Sequence, residues 1–520
     1  MPPPAIVLST LNAKYIHASL GLRYLLANLA RHGGDGLREQ AVLREFTIAR
    51  PVADIVAALL AELGDAAGNT PQIVGFGVYI WNVGPTTEVV RQLKQARPDL
   101  TIVLGGPEVS HEWAGQEIVQ LADYLITGWG DVSFAKLCRA LVDGETPPAK
   151  VIAGEQPALD QIDLPYGEYS ADDLAHRLLY VEASRGCPFK CEFCLSALDK
   201  TAWAFDQPRF LAALDDLYRR GARHFKFVDR TFNLKIDNSL TILQFFLDRL
   251  TPELFLHFEV VPDHLPERLQ AMIVRFPPGV LQFEIGIQSF NPEVQQRISR
   301  RQDNARTCAN LAWLVEHSHA HLHADLIFGL PGETVTSFAE GFDRLYALQP
   351  HEIQLGVLKR LRGTPIARHS AAFGMIYDEK PPYTVQQTAV VDASEMLKFA
   401  RLARYWELLA NSGRFPKTLP LLLAGPSPFT VFAQFSDWLW KRTEKTSGLS
   451  PENLVDHLFA YLTGVIDLPT EDVRQTLLTD YLTSGARANP DCLQGLLAIR
   501  AKPQPRVARG LAQRQERHGK

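Results

Sequence analysis

The sequence predicts an α/β protein in three parts: a doubly wound, Rossmann-like N-terminal domain, a partial (β/α)6 barrel, and a helical C-terminal domain. Three observations carry this. Short β-rich runs alternate with helical patterns up to residue 145, a second series of six such runs follows between residues 178 and 357, and beyond residue 370 apolar residues recur only at helical spacing.

In the first part, strands are expected at Ala5–Thr10, Ile73–Tyr79, Thr101–Gly106 and Tyr124–Gly128, with a helix from Ser19 to His32. Glycines stand where these strands stop, the edge at which open parallel sheets hold their ligands. Residues 1–145 are therefore read as one domain, and the Pro-, Gly-, Asp- and Gln-rich residues 146–175 as an extended linker. The barrel is placed at residues 176–370, with strands at Leu178–Ala183, His224–Asp229, Leu256–Val261, Leu281–Ile287, Leu322–Phe328 and Glu352–Val357. Each gap has room for a helix, which favours a parallel, open barrel. Helices are expected across residues 371–500. Residues 501–520, with six Lys or Arg and one Glu, read as a basic tail.

A chain of 520 residues exceeds what one hydrophobic core supports, in line with several domains. With 46% apolar and 21% charged residues and a net charge of −5, the composition is ordinary, and nothing in it points to nucleic acid or an anionic membrane. The opening Met1-Pro2-Pro3-Pro4 precedes its apolar run without basic residues, and no stretch offers the roughly 18 uninterrupted apolar residues of a membrane span. A soluble cytoplasmic protein is expected.

Six cysteines are too few for a disulfide scaffold, yet three lie within eight positions: Cys187, Cys191 and Cys194, spaced Cys-x3-Cys-x2-Cys just after an apolar strand. Such a loop can wrap three thiolates around a cubane cluster and leave one iron open for another ligand. Structural zinc wants four closed ligands, and the nearest further candidates, His176 and Cys138, lie outside the loop. Cys138, Cys308 and Cys492 have no partner spacing and read as packing residues.

This motif, with Phe193 before its last cysteine and its place after the first barrel strand, resembles the radical S-adenosylmethionine (SAM) superfamily. Later segments are similar in the same order: Asp229-Arg230-Thr231-Phe232, Gly286-Ile287-Gln288-Ser289, Asp325 through Thr334, and Arg362-Gly363-Thr364-Pro365. The resemblance implies a [4Fe-4S] cluster on Cys187, Cys191 and Cys194 that reductively cleaves SAM to a 5′-deoxyadenosyl radical. It also implies that Glu284 and Gln288 reach the SAM ribose or a neighbouring group, that Arg301 meets its carboxylate, and that Asp229 and Asn233 face substrate.

A doubly wound domain ahead of such a barrel resembles the cobalamin (B12)-binding radical SAM proteins, in a branch with a poorly characterised helical C-terminal extension. The matching residues are Asn12 through Gly21, Gly75 through Tyr79, Leu104 through Glu108, and Gly128 through Asp131. The likeness implies cobalamin held against Gly75, Gly77, Gly105, Gly106, Gly128 and Gly130, with Tyr15 and His17 close by. No Asp-x-His-x-x-Gly occurs, so no histidine is available as lower cobalt ligand. Glu108 stands where many relatives have His, and Gly128-Trp129-Gly130-Asp131 departs from the more usual Gly-Glu-x-Glu.

The implied activity is cobalamin-dependent methylation of an unactivated carbon, with a small-molecule substrate and an external electron donor such as flavodoxin or ferredoxin. A non-methylating radical SAM rearrangement or oxidation, an RNA-modifying enzyme and a SAM/cobalamin-binding sensor stay open. Nucleic acid is not an expected partner, because neither a second three-cysteine motif nor a basic RNA-binding module follows the barrel.

Overall fold

A computed structural model describes residues 4–64, 71–484 and 488–497; the basic tail expected at 501–520 lies outside them. The first sheet comprises β1 (Ile6–Asn12), β2 (Ala41–Thr47), β3 (Ile73–Gly77), β4 (Thr101–Gly105), β5 (Tyr124–Thr127) and β6 (Val151–Ala153). It is parallel, in the order β2-β1-β3-β4-β5-β6. Every residue of β1 is buried because helices cover both faces of the sheet. Val7, Val74 and Phe76 face one core; Ile6, Leu8 and Ile73 face another under helices Leu20–Gly33 and Asp131–Val142.

Two strands of this sheet escaped the sequence reading. Strand β2 carries Arg44 and Glu45 at a sheet edge and lacks an apolar run. Strand β6 falls within residues 146–175, expected to be an extended linker. That stretch is packed: Ile162, Tyr166 and Tyr169 are buried, and helix Ala171–His176 starts with a capping box of Ser170 and Asp173. Buried hydrogen-bonding tyrosines make it adhere, with Tyr166 and Tyr169 bonded to the backbone of Glu182 and Tyr180.

The second sheet comprises β7 (Leu179–Val181), β10 (His224–Phe227), β11 (Phe255–Val260), β12 (Leu281–Gln288), β13 (His321–Phe328) and β14 (Glu352–Val357). Between β7 and β10 lies a short hairpin of β8 (Ser184–Arg185) and β9 (Trp203–Ala204). The six long strands run parallel in the order β14-β13-β12-β11-β10-β7, an open barrel edged by β7 and β14. In β12, Leu281, Phe283, Ile285 and Ile287 are buried, whereas Gln282, Glu284, Gly286 and Gln288 alternate with them on the less buried face. The lumen is thereby polar.

Both barrel edges are covered. At β7, Leu178 donates its N–H to the Ile16 carbonyl, which stitches the first domain to the barrel. A buried ion network reinforces the joint: Arg23 and Arg177 pair with Glu45 and Asp173, all four side chains between 2% and 9% exposed. At β14, Asn411 bonds both backbone groups of Ile353. Strands β15 (Ile376–Tyr377) and β16 (Val385–Gln387) form a small antiparallel pair nearby.

Beyond the barrel come the helices Ala393–Leu409, Thr418–Leu422, Pro428–Thr443, Pro451–Gly464 and Thr470–Ser484. Phe399 stacks on Phe328 of β13 at 3.9 Å, and Trp406 meets Phe342 edge-on. The helical part thus shares one continuous core with the barrel. Among the described residues no helix is long and apolar enough to cross a membrane.

Candidate functional site

The cysteine loop begins at Gly186, whose φ of +82° and close neighbours exclude a side chain; a Cβ would stand 2.6 Å from Thr201 Oγ1 and 2.7 Å from the Ala202 nitrogen. Cys187 then donates its N–H to the Asp199 carbonyl at 3.0 Å, and Cys194 to that of Cys191 at 3.1 Å. All three thiols line one cavity of about 240 Å³, with Phe189 and Phe193 beside them. Burial pushes the Cys187 and Cys191 thiols up, while the Arg300 guanidinium, 3.7 Å from Cys191 Sγ, opposes this at Cys191. Among the described residues, no three His, Cys, Asp or Glu side chains gather as a single metal ion would need. Three thiols on one cavity match the three ligands of a cubane cluster with one open iron and fall short of the four closed ligands of structural zinc. Cys138, Cys308 and Cys492 lie elsewhere as free cysteines.

Glu192, between two of these cysteines, was not singled out by sequence. It is 3% exposed and accepts from Ser299 Oγ at 2.6 Å, from His369 Nε2 at 2.8 Å and from Arg368. Its N–H reaches the Ile298 carbonyl, and its carbonyl takes the Ile366 N–H. Only the tertiary fold brings these donors together.

The barrel strands supply the rest of this cavity. Glu284 accepts from His257 at 2.9 Å and Lys226 at 3.1 Å. Burial alone would lift its carboxyl, but these partners hold it well below the usual carboxylate range. Gln288 sits at a bulge closing β12 with φ of +70°, and its buried Oε1 has no hydrogen-bond partner. Asp325 Oδ1 likewise has none, with His323 Nε2 3.4 Å away. Burial, then the charges of Glu284 and Glu259, push the Asp325 carboxyl well above its ordinary range.

Arg301 lines the cavity from an exposed position. Its neighbour Arg300, which sequence reasoning passed over, touches Cys191 and the Gly286 carbonyl. Asp229 and Asn233, expected to face substrate, do not line the cavity. Asp229 is folded inward, accepting from Ser184 Oγ and the Ala183 N–H, and burial raises its carboxyl to about 7. Asn233 ties together the backbone of Val261 and His264.

The first domain holds a second cavity, of about 230 Å³, at the carboxyl edge of its sheet. Gly75, Gly77, Gly105, Gly106, Gly128 and Gly130 all line it, with Leu22, Phe76 and Trp129 among the apolar walls. A Cβ on Gly106 would strike the Val78 carbonyl at 2.5 Å, so that glycine serves the fold. At Gly128 a Cβ would meet nothing within 4 Å, and at Gly105 only the Ile126 carbonyl at 3.7 Å. Side chains there would fill the cradle.

Tyr15 and His17 are absent from that lining. The loop after β1 turns toward the barrel instead. Tyr15 donates its hydroxyl to Asp172 under the Arg177 guanidinium, and His17 Nδ1 bonds the Tyr180 hydroxyl at 2.8 Å. Glu108 likewise contacts the barrel, accepting from Arg362 at 2.9 Å and from Tyr383 at 2.6 Å.

Comparison with known proteins fits this division. Residues 6–138 match the B12 binding domain, residues 181–345 the Radical SAM superfamily, and residues 371–517 a protein of unknown function, DUF4080. An uncharacterised methyltransferase of Pyrococcus horikoshii is 30% identical over 34% of the chain and 44% of its own length. The cobalamin-dependent radical SAM methyltransferase TokK of Streptomyces tokunonensis is 23% identical over 64% of the chain and 53% of its own. The chain thus spans about half the length of these curated relatives. Among solved structures, the cobalamin-dependent SAM radical enzyme OxsB with aqua-cobalamin bound shares the fold, with a TM-score of 0.60, 14% identity, and coverage of 93% of this chain and 79% of that one.

Proposed function

We propose that this chain, which joins a B12-binding domain to a radical SAM domain, cleaves SAM reductively and methylates an unactivated carbon of a small molecule. The observation that carries the reading is the cysteine cavity, where three thiols share walls with the Asp325 carboxyl and with Gln288, whose buried Oε1 has no hydrogen-bond partner. Cys187, Cys191 and Cys194 would hold the cluster. Gln288 and Asp325 would receive hydroxyl or amino hydrogens of SAM, whose binding would satisfy the buried Gln288 Oε1. Arg301 would meet the SAM carboxylate from the rim, and Arg300 would orient Cys191. Glu284, already committed to His257 and Lys226, would shape the floor. Gly105 and Gly128 would let a corrinoid approach the backbone of the first domain.

When bound, the cluster supplies one electron to the SAM sulfonium and cobalamin supplies a methyl carrier. The electron itself would come from an external donor such as flavodoxin or ferredoxin. The names of TokK and of the Pyrococcus protein, both methyltransferases, support methyl transfer over rearrangement.

The test is anaerobic reconstitution with iron, sulfide and hydroxocobalamin, followed by SAM and a strong reductant. Methionine with 5′-deoxyadenosine should form, and S-adenosylhomocysteine should appear with them once a methyl acceptor is supplied. A fully loaded protein that binds SAM and never cleaves it would overturn the proposal.

A further inference from the structure

Resting on that reading, we infer that the occupant of the glycine cavity and the iron–sulfur cluster are energetically linked through Trp129, Asp131, Arg185 and Asp199, with Trp129 and Arg185 as positioning residues for Cys187. The glycine cavity and the cysteine loop have a wall in common. Arg185 lines the cavity and stands two residues before Cys187. Its guanidinium grips Asp131 through two bonds, at 2.8 and 3.0 Å, and Glu182 through Nε at 2.7 Å. Tyr24 and Trp129 flank it at 4.3 and 4.8 Å from their ring centroids.

A second route runs beside the first. Trp129, between the cavity glycines Gly128 and Gly130, donates Nε1–H to Asp199 Oδ2 at 2.8 Å. The Asp199 carbonyl in turn receives the Cys187 N–H. Asp199 Oδ1 is fixed by the N–H and hydroxyl of Thr201. One rim segment, residues 128–131, therefore faces the glycine cavity and also holds Arg185, two residues before Cys187, and the side chain of Asp199, whose carbonyl Cys187 bonds.

A ligand seated against Gly128 and Gly130 restricts this rim, and the restriction passes to Cys187. By linkage, a corrinoid that stabilises the bound cluster is itself bound more tightly by the cluster-loaded protein.

The experiment uses the full chain with its cluster, with and without hydroxocobalamin, and follows loss of iron–sulfur absorbance to a chelator. Hydroxocobalamin should slow cluster loss about fivefold or more in the parent protein, at the low end of ordinary coupling. W129F keeps a ring but removes the N–H, and R185K keeps the charge but removes the two-bond grip; each should cut that ratio at least twofold at saturating hydroxocobalamin. W203F alters the ring packed edge-on to Trp129, leaves the hydrogen bond, and should keep the parental ratio. A general loss of stability would speed cluster loss equally with and without the corrinoid, so the ratio isolates the link. The reciprocal arm compares hydroxocobalamin affinity of cluster-loaded and cluster-stripped protein, which should be tighter in the cluster-loaded form. A parental ratio of one with hydroxocobalamin bound, or ratios unchanged in both W129F and R185K, would overturn the inference while leaving the proposed function intact. No binding of hydroxocobalamin at all would instead remove the corrinoid part of that function.

Discussion

The two cavities are built from opposite materials. The cysteine cavity is walled by thiols, carboxylates and guanidinium groups, and its polar atoms are set by barrel strands whose alternate residues turn inward. The glycine cavity is walled by backbone and apolar side chains, with Asp131 and Arg185 as its charged members. The first selects by coordination and hydrogen bonding, so single atoms matter there. The second selects by shape, so the absence of side chains matters. Substitutions should therefore hurt the two sites by different rules: removal in one, addition in the other.

The largest expected effect is at the cysteines. Replacing Cys187, Cys191 and Cys194 together by Ala should abolish iron–sulfur absorbance and all SAM cleavage, whereas a Cys308→Ala, Cys492→Ala double variant should retain both. Equal iron content in the two proteins would erase the distinction between the cavities.

Addition is tested at Gly105, which has no positive φ and whose added side chain would enter the cradle. Gly105→Leu should weaken hydroxocobalamin binding by at least about a hundredfold, given the steric conflict with a flat ligand, and leave a full cluster on the protein. Titration of bound corrinoid beside an iron assay measures both. Undiminished corrinoid binding would place that ligand elsewhere.

A smaller effect is expected at Asp325. Asp325→Leu should weaken SAM binding about ten- to a hundredfold, the cost of leaving ligand donors unpaired in a buried site. Asp325→Asn should bind within a few-fold of the parent, because its amide oxygen still accepts and because burial with the acidic neighbours pushes this carboxyl up, toward the neutral form that Asn resembles. Equilibrium dialysis of the cluster-loaded proteins distinguishes the cases, and an Asn variant as weak as Leu would show that a charged carboxylate is needed.

Glu192→Gln should be milder still. It keeps shape but removes the charge that His369 and Arg368 meet, so cluster loss to a chelator should quicken about fivefold, while corrinoid affinity of the cluster-stripped protein stays unchanged. A fall in that affinity would show that the two cavities do not separate along these lines.

How legible each cavity was follows from the same contrast. The cysteine motif and the six glycines were readable because close spacing and strand ends are local signals. Arg300 illustrates where local reading stops: Ser299 adopts φ of +55°, the helical phase ends, and nothing in the Arg300-Arg301 pair says that Arg300 meets Cys191. Tyr15 and His17 follow the first strand and so should lie near its ligand edge. They turn away because Ile16 is drawn to Leu178, 162 residues later, a contact with no signature in the intervening sequence. Strand β2 was hidden by Arg44 and Glu45, since an edge strand needs no apolar run.

The stitching of Ile16 to Leu178 also bears on how the chain avoids sticking to its own copies. An open barrel presents two raw sheet edges, each a template for strands of another molecule. Synthesis proceeds from the N-terminus, and domains fold largely as units in that order. The first domain is therefore already made when β7 emerges, and its edge is claimed at once. The β14 edge must wait for Asn411 and the helices around it. A ribosome stalled between residues 357 and 411 would hold a barrel with one guarded border and one bare one, and that interval is where chaperones should be needed most.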